Sequence, residues 1–287
     1  MIRIIADALL ESIEITALVI LMMILIEFVN IASHGSFFTG LNASRFGRVL
    51  FGAAMGLIPG CVGGFATVSL YSHRMLTFGA LVAMMIASSG DEAFVMLAMF
   101  PGKALLLFGV LFVIAVAVGL LVDLLPSKGE TPVCRQSYDL HESDMGDHHH
   151  SVRSILDRHF WKEHIWGHVI KGHALSIFCW TFGALLVIRL GMHYLDMEAW
   201  VQNNLALVIL LAALIGIIPD SGPHLIFVTM FASGLVPFSV LLANSICQDG
   251  HSALPLLAES KKSFVRAKMI NCVVAVVAGY ALYFFGL

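Results

Sequence analysis

Apolar residues run in long blocks at 13–31, 50–71, 104–125, 175–194, 205–231 and 270–287. A helix that crosses lipid needs about 20 such residues. Shorter apolar blocks come in pairs, 76–87 with 94–99 and 238–246 with 254–257. At 1.5 Å per residue none of these crosses a hydrocarbon core of about 30 Å alone. Polar residues separate the members of each pair: Ser88-Ser89-Gly90-Asp91-Glu92 in the first, Gln248-Asp249-Gly250-His251 in the second. Each pair reads as a helical hairpin that enters the membrane and turns back, its polar tip at depth. The blocks at 50–71 and 205–231 are interrupted by Ile58-Pro59-Gly60-Cys61-Val62-Gly63-Gly64 and by Ile218-Pro219-Asp220-Ser221-Gly222-Pro223-His224. These read as helices broken near their middles. The backbone groups freed there cannot be satisfied by lipid, so the breaks must face protein or a wet cavity.

The pattern occurs twice. Residues 56–120 overlay residues 216–280 without a gap at a shift of 160, with about a quarter of positions identical. Ile58-Pro59 falls on Ile218-Pro219, Phe78 on Phe238, Gly90 on Gly250, and Leu97-Ala98 on Leu257-Ala258. Hairpin arms included, each half holds five membrane segments, and an odd number makes the halves insert in opposite directions. The expected fold is therefore an all-α polytopic membrane protein of two inverted repeats of five membrane segments each, with broken helices and re-entrant hairpins. Residues 1–125 form the first repeat, 126–170 a cytoplasmic His-rich linker with an interfacial helix, and 171–287 the second repeat.

Composition agrees. The chain is 59% hydrophobic and 12% charged, with mean hydropathy +0.91, whereas soluble domains carry roughly 25% charged residues. A net charge of -3 gives no reason to expect nucleic acid as a partner. The acidic start of the chain does not resemble a signal peptide. No two of the five cysteines form a CxxC pair, so no disulfide framework is implied. Arg45, Arg48, Lys128, Arg135, Arg153, Arg158, Lys162, Lys171, Lys261, Lys262, Arg266 and Lys268 share one side if the N-terminus is outside. That side is cytoplasmic by the positive-inside rule, with Arg3, Arg74 and Lys103 opposing. The linker run at 141–150 mixes imidazoles with carboxylates, a composition that collects metal weakly.

Ionisable residues at membrane depth are costly unless paired, hydrated or bound to something. The breaks and tips supply Asp91, Glu92, Asp220, His224, Asn244, Gln248, Asp249 and His251, and Glu27 lies on the first helix with Asn30 beside the path. If the two breaks and two tips converge, this oxygen-rich set with one or two His suits Mn²⁺, Fe²⁺ or Zn²⁺ better than Cu(I). Glu14 is too far from Glu27 along that helix to share an ion with it, and His173 is a weaker candidate. Cys61 and Cys247 are the thiols that a trivalent arsenical would need. There is no nucleotide-binding motif and no HExxH, so neither ATP hydrolysis nor intramembrane metal-dependent hydrolysis is expected.

The motif residues 218–224, Asn244-Ser245-Ile246-Cys247-Gln248-Asp249-Gly250-His251 and Leu254-Pro255-Leu256-Leu257-Ala258-Glu259-Ser260, with Ile58-Pro59-Gly60-Cys61 and Gly90-Asp91-Glu92 in the first half, resemble the ten-transmembrane heavy-metal exporter family. Its bacterial members are labelled arsenic efflux proteins or manganese transporters. The resemblance implies export of a metal across the inner membrane without a resident cofactor. The leading expectation is a proton-coupled exporter of a divalent cation, Mn²⁺ ahead of Fe²⁺ and Zn²⁺. The alternative is arsenite or organoarsenical efflux through Cys61 and Cys247. Expected partners are the ion, protons, the lipid bilayer and, at most, further copies of the chain.

Overall fold

A computed structural model describes residues 2–32, 44–60, 62–72, 75–125, 175–194, 197–219, 221–250 and 254–286. Every regular element among them is helical, as expected of a multi-pass membrane protein. The first half contributes α1 (Ile2–Ala32), α2 (Arg45–Gly56), α3 (Val62–Ser72), α4 (Phe78–Ala87), α5 (Glu92–Met99) and α6 (Pro101–Leu124). The second contributes α7 (Leu175–Tyr194), α8 (Met197–Asn203), α9 (Leu205–Ile215), a 3-10 turn (Gly222–His224), α10 (Leu225–Ala232), α11 (Phe238–Cys247), α12 (Leu254–Glu259) and α13 (Lys261–Phe284). Phe78–Met99, Pro101–Leu124 and Lys261–Phe284 are long and apolar enough to cross a membrane. The linker, the expected interfacial helix at 152–169 and His173 lie outside the described residues.

Small residues set how the helices cross. A Cβ on Gly79, near the start of α4, would lie 2.2 Å from the carbonyl oxygen of Gly119, near the end of α6. Only glycine lets the two backbones meet so closely, the usual device of helix packing in lipid. The helices therefore run antiparallel. Phe100 alone separates α5 from α6. The 24 residues of α6 extend for about 36 Å, so α5 ends a full helix length from where α4 begins. The expected fold-back at Ser88–Glu92 is thus corrected: α4 and α5 continue in one direction as a single broken helix.

The fold-back lies one element earlier. Cβ atoms on Gly52 and Gly56 would meet the carbonyl oxygens of Ala80 and Met84, so α2 runs parallel to α4. At its end the N–H of Gly60 donates to the carbonyl of Gly90 at 3.1 Å. From there α3 packs Gly63 against Met55 and heads back. The Met75 N–H donates to Leu70 at 2.8 Å, returning the chain to Thr77 at the start of α4. The reading of 50–71 as one broken span is corrected accordingly.

The second half repeats these contacts. The Asn244 side chain donates to the Ala212 carbonyl at 3.0 Å, and a Cβ on Gly216 would lie 2.6 Å from Cys247 Cβ, so α9 runs parallel to α11. A Cβ on Gly279 would meet Ala243 Cβ at 2.9 Å and the Ser239 carbonyl oxygen at 3.4 Å, so α11 and α13 are antiparallel. The Leu235 N–H donates to Met230 at 2.9 Å, the counterpart of Met75 and Leu70. The rings of Tyr71 and Phe78 stand 6.2 Å apart, as do those of Phe231 and Phe238.

Contacts between halves are reciprocal too. The Tyr71 hydroxyl hydrogen-bonds Ser263 at 3.1 Å, putting the end of α3 at the start of α13. Phe231 makes an edge contact with Phe100 at 5.0 Å, and the Lys103 ammonium stands over its ring at 5.1 Å. That puts the end of α10 at the start of α6. The start of α13 thus lies at the level where α6 ends, and the two long helices point in opposite directions. α1 packs against α7, tied by an Arg189–Glu11 ion pair.

One capping group closes the first half. The Asp123 carboxylate at the end of α6 accepts from the Thr77 hydroxyl at 2.6 Å and the Gly79 N–H at 2.9 Å. It satisfies a donor at the α4 N-terminus and complements the helix dipole. Asp123→Ala is expected to cost about 1–2 kcal/mol, measured as a lower melting temperature in detergent. An unchanged melting temperature would show that water replaces the cap.

Candidate functional site

The two helix breaks at Gly90 and Gly250 meet. A Cβ on Gly90 would lie 3.3 Å from Gly250 Cα, and one on Gly250 would lie 3.4 Å from Gly90 Cα and 2.8 Å from Ser221 Oγ. Both glycines adopt positive φ, 51° and 53°, in the left-handed region that glycine enters at least cost. Three polypeptide segments therefore converge on one point. Gly60, beside them, has the Asp91 Oδ1 3.9 Å from where its Cβ would be.

Around this point polar side chains are buried. Ser88, Ser89, Asp91, Glu92, Ser221, His224, Asn244, Gln248, Asp249, Lys268 and Asn271 are all withdrawn from solvent. Among the described residues, every buried charged or imidazole side chain is in this group. The 3-10 turn and the α11 helix hold the imidazole of His224. Asn244 Nδ2 faces the Ala212 carbonyl and His224 Nδ1, at 3.2 Å, so Nδ1 accepts. Nε2 then carries the proton and donates to the Ile218 carbonyl at 3.1 Å. Both ring nitrogens are engaged, and His224 with Asn244 props the second break against α9. Gln248 Oε1 accepts from the Gly250 N–H at 3.0 Å, fixing the turn.

Asp249 is 0% exposed and Lys268 3%, and their side chains form an ion pair at 2.7 Å through Oδ1. The ammonium donates also to the carbonyls of Cys247 at 2.9 Å and Gly216 at 3.2 Å. These are at the C-terminal ends of α11 and α9, where the helix dipoles are negative. Three protons thus meet three acceptors. The expectation of Lys268 as a cytoplasmic surface charge is corrected. Its neighbours Lys261, Lys262 and Arg266 are exposed, but α13 starts at Lys261 rather than near residue 270. That places Lys268 on the buried stripe with Phe264, Asn271, Ala275 and Gly279. The i, i+3/i+4 spacing of those residues was the sequence signal for its burial.

Several polar atoms here have no hydrogen-bond partner among the described residues: Ser89 Oγ, Ser221 Oγ, Asn244 Oδ1, Gln248 Nε2, Asp249 Oδ2 and both polar atoms of Asn271. Buried groups of this kind normally find water or a ligand. Among the described residues no three of His, Cys, Asp and Glu stand close enough together to hold a metal ion. Asp220, His251 and Cys61, and the side chain of Glu27, lie outside the described residues. Glu14 is exposed on α1. Sequence reasoning missed Lys268 as a site residue, along with Ser89, Ser221, Asn271 and the Arg189–Glu11 pair.

A family model described as "Putative, 10TM heavy-metal exporter" matches residues 1–187 and 173–286. The chain belongs to this heavy-metal exporter family. No curated protein matches it, and no solved structure does. Family membership gives the coarse function, metal efflux by a multi-pass membrane protein, and makes the crossing of the exporter's breaks the first place to look for its ion path.

Proposed function

We propose that this exporter moves a divalent transition-metal cation, Mn²⁺ ahead of Fe²⁺ and Zn²⁺, out across the bacterial inner membrane by proton-coupled alternating access. The observation that carries the reading is the buried oxygen-rich set at the Gly90–Gly250 contact. Asp91, Glu92, Asn244, Gln248 and Asp249 are among the side chains buried there, and their oxygens are the kind a divalent cation takes. Carboxylate and carboxamide oxygens favour the harder metals, and a buried carboxylate is costly without such a partner. The ligands are drawn from Asp91, Glu92, Asp220, Asn244, Gln248, Asp249, His251 and Glu27, while His224, with both ring nitrogens engaged, positions Asn244. Asp249 Oδ2 and Asn244 Oδ1 have unused acceptor capacity.

The architecture proposed is two inverted repeats, residues 1–125 and 171–287, joined by the linker at 126–170. Opposite running directions of α6 and α13, and inter-half contacts whose partners are offset by 160 residues, support it. α2–α3 and α9–α10 act as the re-entrant hairpins, and α4–α5 and α11–α12 as broken spans. Arg45, Arg48, Lys261, Lys262 and Arg266 then share the cytoplasmic side, in keeping with the positive-inside rule.

The test is flux from proteoliposomes of Mn²⁺, Fe²⁺, Zn²⁺ and arsenite, with and without a pH gradient, for wild type, Glu92→Gln and Cys247→Ser. Metal flux is expected to rise with an opposing proton gradient, to fall at least about tenfold in Glu92→Gln, and to persist in Cys247→Ser. A tenfold loss corresponds to about 1.4 kcal/mol of barrier. Arsenite flux that disappears in Cys247→Ser, with no metal flux, would instead establish the thiol-based alternative.

A further inference from the structure

We propose that Lys268 is a built-in competitor for the transported cation: its ammonium holds Asp249 when the exporter is empty and must leave Asp249 for the metal to bind. This rests on the divalent-cation reading above and names the residue that resets the carrier. The geometry is specific. The ammonium reaches the break from α13, with one hydrogen bond to the carboxylate at 2.7 Å and two to helix-end carbonyls, Cys247 and Gly216. It sits where a cation would gain most, on a carboxylate and on the negative ends of α11 and α9. Yet it binds only Oδ1, and Oδ2 has no hydrogen-bond partner among the described residues, so an arriving cation can engage the carboxylate before the lysine lets go.

The asymmetry between repeats points the same way. At the shift of 160, Lys268 corresponds to Phe108 and Asp249 to Ser89, while the first-half carboxylates stand two and three places further on, at Asp91 and Glu92. A purely structural brace between a break and the long helix would serve both halves, and a phenylalanine at 108 cannot supply this one in the first. An alternating-access exporter also has to return without its metal. A bare buried carboxylate opposes that step, because an unpaired charge at depth is costly. Lysine has the flexible stem and compact charge that let one group leave and retake a carboxylate.

The experiment separates net transport from exchange. Purified full-length protein in liposomes is assayed for net Mn²⁺ flux down a gradient and for isotopic Mn²⁺/Mn²⁺ exchange at equal concentrations, in wild type, Lys268→Gln and Lys268→Arg. Melting in detergent monitors folding. In Lys268→Gln net flux is expected to fall at least about tenfold while exchange stays within about threefold of wild type, and half-saturation for Mn²⁺ to drop severalfold. Lys268→Arg should keep net flux and raise half-saturation severalfold, because a guanidinium grips the carboxylate at two points. If Lys268→Gln does not fold, the direction of the Lys268→Arg shift decides. Equal losses of net flux and exchange, or an unchanged half-saturation in both variants, would overturn the inference and leave Lys268 as a brace. Wild type that moves no Mn²⁺ in either mode would sink the divalent-cation reading and this inference with it, a result distinct from the other two.

Discussion

Asp249→Ala should lower the melting temperature of the purified exporter sharply, and Asp249→Ala with Lys268→Met should melt closer to wild type. The single change leaves the Lys268 ammonium buried with the carbonyls of Cys247 and Gly216 but no counter-charge. Breaking a buried pair from one side costs about 3–5 kcal/mol. The double change removes both charges and fills the space with an apolar stem of similar length. It still strands two carbonyls, at about 1–3 kcal/mol for an unmet buried group, so recovery is partial. Transport is expected to stay lost in both variants, since the proposed reading puts Asp249 on the ion path. The four proteins of the cycle isolate the coupling directly. A double variant no more stable than Asp249→Ala would mean that the pair contributes no coupling and that the carboxylate acts on stability through something else.

The interruptions at Pro59-Gly60, Gly90, Pro219 and Gly250 were legible in the sequence, because they fall within apolar blocks in the same register. The direction of the chain after each break was not. Hydropathy records that residues 88–92 are polar, not whether the helix turns back there. Direction is set by which backbone each glycine can approach, such as Gly79 on Gly119 or Gly63 on Met55, and these are contacts between segments. Lys268 escaped for a related reason. Its sequence neighbours are surface lysines, and only the helical stripe through Asn271 and Gly279 reveals that it turns inward. Asp91, Glu92 and Asp249 stood out because a charge between apolar blocks contrasts with residues such as the exposed Leu105, Val113, Val273 and Val277, whereas Ser89 and Ser221 carry no such contrast.

Gly250→Ala is expected to be the most damaging of three alanine replacements at positive-φ glycines, followed by Gly90→Ala and then Gly234→Ala. All three incur the left-handed backbone penalty, about 1–2 kcal/mol for a residue with a Cβ. At Gly234, φ is 74° and nothing lies within 4 Å of the added methyl, so that penalty is the whole effect and the variant calibrates it. At Gly90 the methyl would stand 3.3 Å from Gly250 Cα and 3.5 Å from Ser221 Oγ, tight against backbone that can yield only by separating the two breaks. At Gly250 it would fall 2.8 Å from Ser221 Oγ, so something must shift. Net flux should drop by about tenfold or more for Gly250→Ala, since a misplacement of the order of 1 Å at a working site costs about that much or more. Adding Ser221→Ala removes the oxygen in the way and should restore part of the flux while leaving the φ penalty in place. The melting temperatures of the three single variants should lie much closer together than their fluxes, because the backbone term is common and the contact term acts at the crossing. Equal fluxes in Gly250→Ala and Gly234→Ala would show that the two breaks need not touch for the exporter to work.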